Sequence, residues 1–401
     1  MLGTKQNNTF GRLCLAASIS VIMTACGGGG GSDAAPTTPT TPTTPTTPTT
    51  PTTPVVDLPT EYGTYLTDLS TNHILPSYQA MQTTAQSLRE QSVSFCALAS
   101  PTNADLVDFQ QSWSDFNLAW QAIQWVKVGA VVEENRLFRI QFWPDANDAV
   151  SRGVESLLLE QQTVTAELVA SQNVGGQGIP ALEYLLYPSD TNNSLLNAPN
   201  KDKRCEVSQA IAENLLTLST EINTAWQPSG GDYQAQLVNG TGDFTSVQDA
   251  IEELVTNWLE AIELVKDEKS LLPLGTGSPG IFDITEHRLS EQSLASIAVN
   301  LQSFQTLYTN GNGRGFDAIL TETLQQQTIS DQMSAAVEST ITRINQINSD
   351  FDSYQTLLAD EDGRAQLTVL IDELRTIRDV LTTGFVQALD INIGFNSNDG
   401  D

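Results

Sequence analysis

Across 401 residues the chain carries 48 acidic and only 18 basic side chains, for a formal net charge of −30. That balance leaves no basic surface to neutralise phosphates, which argues against nucleic acid as a partner and against electrostatic docking on anionic lipid. The length exceeds that of one small domain, and most of the carboxylates are expected on solvated helix faces.

Residues 1–25 read as a secretion signal, in which Lys5 and Arg12 give a positive start and Leu13 to Met23 a short apolar run. That run is too short to span a bilayer. Met23-Thr24-Ala25-Cys26 resembles the bacterial lipobox, so Cys26 is the expected site of lipidation and the lipid the membrane anchor. Gly27 follows where many inner-membrane lipoproteins carry aspartate, which points to the outer membrane, facing either the periplasm or the outside. Of the four cysteines, Cys14 would leave with the signal and Cys26 would take the lipid. Cys96 and Cys205 remain, and an oxidising compartment favours a disulfide between them over two buried thiols.

Residues 26–57 hold a glycine run, Gly27 to Gly31, and a Pro-Thr-Thr repeat from Pro36 to Pro54. With nothing apolar to bury and a polyproline bias, this stretch reads as a disordered, semi-rigid spacer, about 3.1 Å per residue and roughly 60 Å in reach. From Leu58 onward the apolar pattern is helical. The first helical region, about 60–98, contains Pro76 and is expected to divide or kink there. A second, about 103–128, opens with Thr102 or Asn103 as cap and carries Trp113, Phe116, Trp120, Ile123 and Val126, an aromatic stripe that reads as core. After an irregular stretch, Pro144 suits the start of a helix bearing Val150, Val154, Leu157 and Leu158. Pro180 suits another, which would put Glu183 in a first turn favoured by the helix dipole.

Further on, Val207, Ile211, Leu215, Leu218, Ile222 and Trp226 recur at steps of three and four, laying one stripe along a helix. Val247 to Val265, Leu294 to Phe304 and Leu370 to Ala388 repeat the theme. Each stripe must be buried against others, which predicts an all-α protein of two packed helical bundles, 58–228 and 243–395, parted by the polar break at about 227–244. Duplication would account for two similar halves, although no residue-level repeat is evident.

Several segments, taken in order, resemble the imelysin family of bacterial cell-envelope proteins. Its signature, Gly-x-His-x-x-Glu before an apolar helix, is approached by Gly178-Ile179-Pro180-Ala181-Leu182-Glu183, with Pro180 in the histidine's place. Tyr65 to Tyr78, with Ile74-Leu75-Pro76-Ser77-Tyr78, resembles the family's opening helix, and Ile140-Gln141-Phe142-Trp143-Pro144-Asp145 its Trp-Pro-Asp segment. Glu286-His287-Arg288-Leu289-Ser290 resembles its Glu-x-x-x-Ser element, and Ile393 to Asp401 its ending. The resemblance implies two helical domains with a site between them, built around Gly178, Pro180 and Glu183 with Asp145, Glu286 and Ser290 as neighbours. It also implies a role in iron or haem acquisition, in a family catalogued among peptidases.

The chain has only two histidines, so an imidazole ligand for iron or zinc would be His73 or His287. His287 and Glu291 are four apart, which on a helix gives either half of a metal site with Glu183 or, more commonly, a surface ion pair. Calcium would need carboxylates alone. No zinc-protease His-Glu-x-x-His, serine-hydrolase elbow, di-iron Glu-x-x-His or phosphate loop is present, and no catalytic residue is assigned. The leading expectation is a non-catalytic binding lipoprotein. The alternatives are a metallopeptidase with Glu183 as general base, and a scaffold for another envelope protein.

Overall fold

The described chain begins with α1 (Leu58–Leu69), which runs through a widened π turn (Ser70–Ile74) into α2 (Leu75–Cys96). Pro76 has no N–H to give the preceding turn, and the chain answers by widening that turn instead of breaking. Next come α3 (Asn103–Ile123), α4 (Arg136–Ile140), α5 (Ala149–Leu159), α6 (Ala166–Ser171), α7 (Ile179–Leu186) and α8 (Lys201–Trp226). After α9 (Tyr233–Asn239), α10 (Val247–Glu263) continues as a long π segment (Leu264–Leu271) into the single turn α11 (Leu272–Leu274). The remainder is α12 (Ser293–Thr309), α13 (Phe316–Ala318), α14 (Gln327–Asp350), α15 (Tyr354–Ala359), α16 (Glu361–Val380) and α17 (Val386–Ala388). This computed structural model describes residues 57–311 and 313–394. The signal, Cys26, the Gly and Pro-Thr stretch up to residue 56 and the ending 395–401 lie outside the described residues.

Among the described residues there is no strand, and no helix is long and apolar enough to cross a membrane. The apolar stripes form the core: Val207, Ile211, Leu215, Leu218, Ile222 and Trp226 are fully buried on α8, and Leu370, Leu374 and Ile377 on α16. Along α3, Trp113 and Phe116 are sealed from solvent. The second helix ends at Ile123, not 128, although Trp125 and Val126 stay buried beyond it. Thr102 caps it reciprocally with Asp105, as the sequence invites.

In the first half α2 packs along α3 and α8; in the second, α14 packs along α12 and α16. The two sets meet where α3 lies on α12. Helix α1 sides with the later elements, on α9 and α10, its Tyr65 hydroxyl donating to the Leu307 carbonyl at 2.7 Å and its Tyr62 hydroxyl to that of Leu389. The described residues accordingly belong to one compact unit.

The sulfurs of Cys96, at the end of α2, and Cys205, near the start of α8, are bonded across a sequence separation of 109, with Cα atoms 5.6 Å apart. The bond pins two long helices that already pack together. Replacing both residues, Cys96→Ser with Cys205→Ser, is expected to lower the unfolding free energy by up to about 4–5 kcal/mol. A urea titration followed by far-UV circular dichroism reads this as a lower midpoint with native helicity unchanged.

Candidate functional site

Helix α7 is placed by close backbone contact. A Cβ on Gly178 would lie 2.2 Å from the Ile140 carbonyl oxygen and 2.7 Å from that of Arg139. Glycine is required there for space, since its backbone is extended (φ −111°). The Trp113 indole donates to the Ile179 carbonyl at 3.1 Å and Asn214 to the Gln177 carbonyl at 3.2 Å, so the loop before α7 is held from both sides. Pro180 is the second residue of the helix, where its missing N–H costs nothing.

The helix starts at Ile179, one residue before the expected start, so Glu183 is not in the first turn. Its stabilisation comes from the other half of the chain, not from the helix dipole. Glu183 Oε1 accepts from the Ser290 N–H at 2.9 Å and the Ser290 hydroxyl at 2.7 Å. Glu183 Oε2 lies 3.5 Å from His287 Nδ1. The carboxylate is buried, with 5 % of the residue exposed.

Residues 286–291 form a turn, and α12 begins only at Ser293. His287 and Glu291 both have left-handed backbones (φ 52° and 59°), so the helical spacing that would put them on one face does not occur. Glu291 is exposed, whereas His287 is buried with its ring edge-on to Trp113. The expected surface ion pair between His287 and Glu291 is therefore not formed. His287 Nε2 lies 3.4 Å from the amide nitrogens of Gln121 and Gln141, and the latter nitrogen donates to Glu286 Oε1 at 3.0 Å. Amide nitrogens cannot accept, so Nε2 is the acceptor and the ring proton sits on Nδ1, facing Glu183.

Glu286 is the other buried carboxylate, and Lys269 is its counter-ion at 2.8 Å. The Lys269 ammonium also donates to Gln121 Oε1 and Asn300 Oδ1, each at 2.8 Å, which uses all three of its protons. Burial alone would raise the Glu286 carboxyl, but Lys269, with help from the Gln121 amide, holds it below its ordinary 4.5. Burial in turn lowers the Lys269 amine, against the opposing pull of Glu286. The backbone contributes too: Pro273 has no N–H for the Lys269 carbonyl four residues back, and the Tyr354 hydroxyl takes that carbonyl at 2.8 Å.

Asp145 lies in the loop before α5. The helix begins at Ala149 and not at Pro144, because the Asp145 carboxylate captures the N–H groups of Ala149 and Val150, both at 2.8 Å. Beside it opens a cavity of about 420 Å³, lined by the loop around Phe142, Trp143 and Asp145, by Pro180 and Glu183 of α7, and by His287. Glu286 lies behind this lining, and Ser290 reaches it through Glu183. His73, in the π turn before α2, is not part of the lining.

A metal ion is the group that the signature implies, and these residues do not fit one. Pro180 offers no ligand atom, both Glu183 oxygens face neighbours, and the Lys269 ammonium already occupies the cation's place at Glu286. Among the described residues no three His, Cys, Asp or Glu side chains are grouped to hold a metal. Lys269, Gln121 and Asn300 escaped the sequence reading, and Gln141 was given no role in it. Their signals were present: Lys269 falls on the next step of four after Val265 in the apolar stripe, and Ser114, Asn117 and Gln121 form a polar stripe on α3 that meets Gln292, Ser296 and Asn300.

The structure defines an all-α protein with a polar site where the signature helix meets the second half of the chain. The family model for imelysin matches residues 74–381, and the chain belongs to that family. Its fold is shared by the crystal structure of an imelysin-like protein from Psychrobacter arcticum 273-4, at 22 % identity, covering 84 % of this chain and 98 % of that one, with a TM-score of 0.68. It is shared also by a protein described as an iron-regulated protein A precursor from Parabacteroides distasonis ATCC 8503, at 17 % identity, with 83 % and 97 % covered and a TM-score of 0.67. At these identities the likeness is one of fold. No curated protein matches the chain.

The packing and the charges generate three expected outcomes. Gly178→Ala should destabilise the protein by about 1–3 kcal/mol through overpacking, seen as a lower thermal midpoint, while Gly277→Ala, with open space around it, should not. Lys269→Met should cost about 3–5 kcal/mol because it strands a buried carboxylate, and adding Glu286→Gln should recover most of that. Because the folded pKa of Glu286 is depressed, the stability advantage of wild type over Glu286→Gln should be complete above pH 4.5 and vanish as the pH falls through the lower folded value.

Proposed function

We propose that this imelysin-family chain is a non-catalytic binding component of the bacterial cell envelope, linked to iron or haem acquisition, whose ligand occupies the cavity beside α7. The observation that carries this reading is the cavity itself, which opens at the signature while Pro180, in the histidine's place, removes the chemistry a metallopeptidase would need. Glu183 keeps a positioning role, tying α7 to the loop that carries His287 and Ser290. The envelope location rests on the signal-like start and the Cys26 lipobox, with the outer membrane as destination, and the precursor from Parabacteroides distasonis supports an extracytoplasmic home. Its description as iron-regulated supports the link to iron. On this reading the segments 58–228 and 243–395 act as the two walls of the site.

Two measurements test it. Full-length protein without a histidine tag, exposed to iron, zinc and calcium, should retain no stoichiometric metal by elemental analysis; stoichiometric metal that vanishes in Glu183→Ala would restore the metal-centred reading. In cells, Ala146→Trp, which puts an indole into the cavity lining, should impair growth under iron limitation as much as deletion of the protein and leave iron-replete growth unchanged. Wild-type growth of that variant under iron limitation would sink the assignment of the cavity.

A further inference from the structure

We infer that the ligand of this cavity is a small organic cation, an ammonium or guanidinium compound with N–H donors and an apolar body. The inference rests on the reading that the cavity is the binding site, and it deepens that reading.

One buried acceptor asks for a donor. Gln141 is 8 % exposed and lines the cavity. Its nitrogen is committed to Glu286, which fixes the orientation of the amide, and its Oε1 accepts no hydrogen bond. Burying such an acceptor unpaired is costly, and although the oxygen is sealed from solvent, a small turn of the side chain toward the cavity would let a ligand N–H satisfy it. A carboxylate ligand has no proton to offer there.

The charges on the lining agree. Glu268, Asp148 and Asp283 line the same cavity, and their carboxylates have no hydrogen bond or ion pair among the described residues. Burial, and then the neighbouring Asp267, push the Glu268 carboxyl above its ordinary 4.5, an effect that a bound cation would oppose. Arg288 is the sole lysine or arginine on the lining. A chain of net charge −30 also raises the local concentration of cations.

The walls select an organic cation over a bare ion. No three carboxylate or imidazole groups converge, as a metal would demand. Phe142, Trp143 and Tyr184 instead line it, and Leu272 and Ile284 stand 48 % and 40 % exposed on the same lining. Aromatic faces attract ammonium and guanidinium groups, and the aliphatic pair suits an apolar body. The volume of about 420 Å³ is that of a small-molecule site.

Isothermal titration of the full-length protein at low ionic strength, with 2-phenylethylamine and with its charge-reversed relative 3-phenylpropionate, tests the inference. The amine should bind one to one and the acid should not. Glu268→Gln and Gln141→Leu should each weaken the amine by about tenfold, and Arg288→Gln should tighten it several-fold. Thermal melts of the variants exclude loss of fold as the cause. Binding of the acid but not the amine, abolished by Arg288→Gln, would overturn the cation assignment and leave the cavity a ligand site for anions. Heat from neither probe at millimolar concentration would also overturn it, and the growth phenotype of Ala146→Trp then decides separately whether the cavity is a binding site at all.

Discussion

The buried ion pair between Lys269 and Glu286 is the constraint on which the centre of this molecule depends. Two charges removed from water are tolerable only when both are paired and fully hydrogen-bonded. Here the ammonium spends its three protons on Glu286, Gln121 and Asn300, while Glu286 also accepts from Gln141. These five residues come from α3, the loop before α5, the π segment after α10, the turn before α12 and α12 itself. One electrostatic requirement therefore fixes how the two halves of the chain meet. The π segment and Pro273 serve the same end, because they free the Lys269 carbonyl for Tyr354 and so hold the lysine from its backbone as well as its side chain.

The character of the site follows from that internal neutralisation. Glu286 has Lys269, and Glu183 has Ser290 and the Nδ1 edge of His287, so the two carboxylates that look most like ligands are occupied by the protein's own donors. What remains unsatisfied lies on the cavity wall, at Gln141 and the unpaired acids. Gly178 against the Ile140 carbonyl and Glu183 against Ser290 are thus architectural contacts, which tie α7 to the end of α4 and to the turn before α12.

Much of this was legible in the sequence. The steps of three and four along α8, α10, α12 and α16 fixed an all-helical fold, since a stripe on one face must be buried against another. Thr102 announced its cap, and the order of weak motifs announced the family. The misreadings share a cause: each applied one local rule where a competing contact, near or far in the chain, had set the boundary. Pro144 looked like a helix start, but Asp145 captured the N–H groups of Ala149 and Val150 farther on. His287 and Glu291 looked like a helical pair, but the chain turns there so that His287 can pack on Trp113.

By itself the sequence determined the helices, the apolar faces they bury and the residues at which the two halves carry their signatures, because periodicity and capping are local properties of the chain. Only the tertiary structure decided that Lys269 answers Glu286, that Ser290 answers Glu183, and that Gln141 is left with a buried, unpaired acceptor on a residue that lines a cavity. Those pairings join residues more than a hundred positions apart in the case of Ser290 and Gln141, and 17 apart for Lys269 across a π segment and a turn. Whether a charge is a solvated surface group or a buried partner depends on what the fold brings to it, and no spacing in the sequence encodes that.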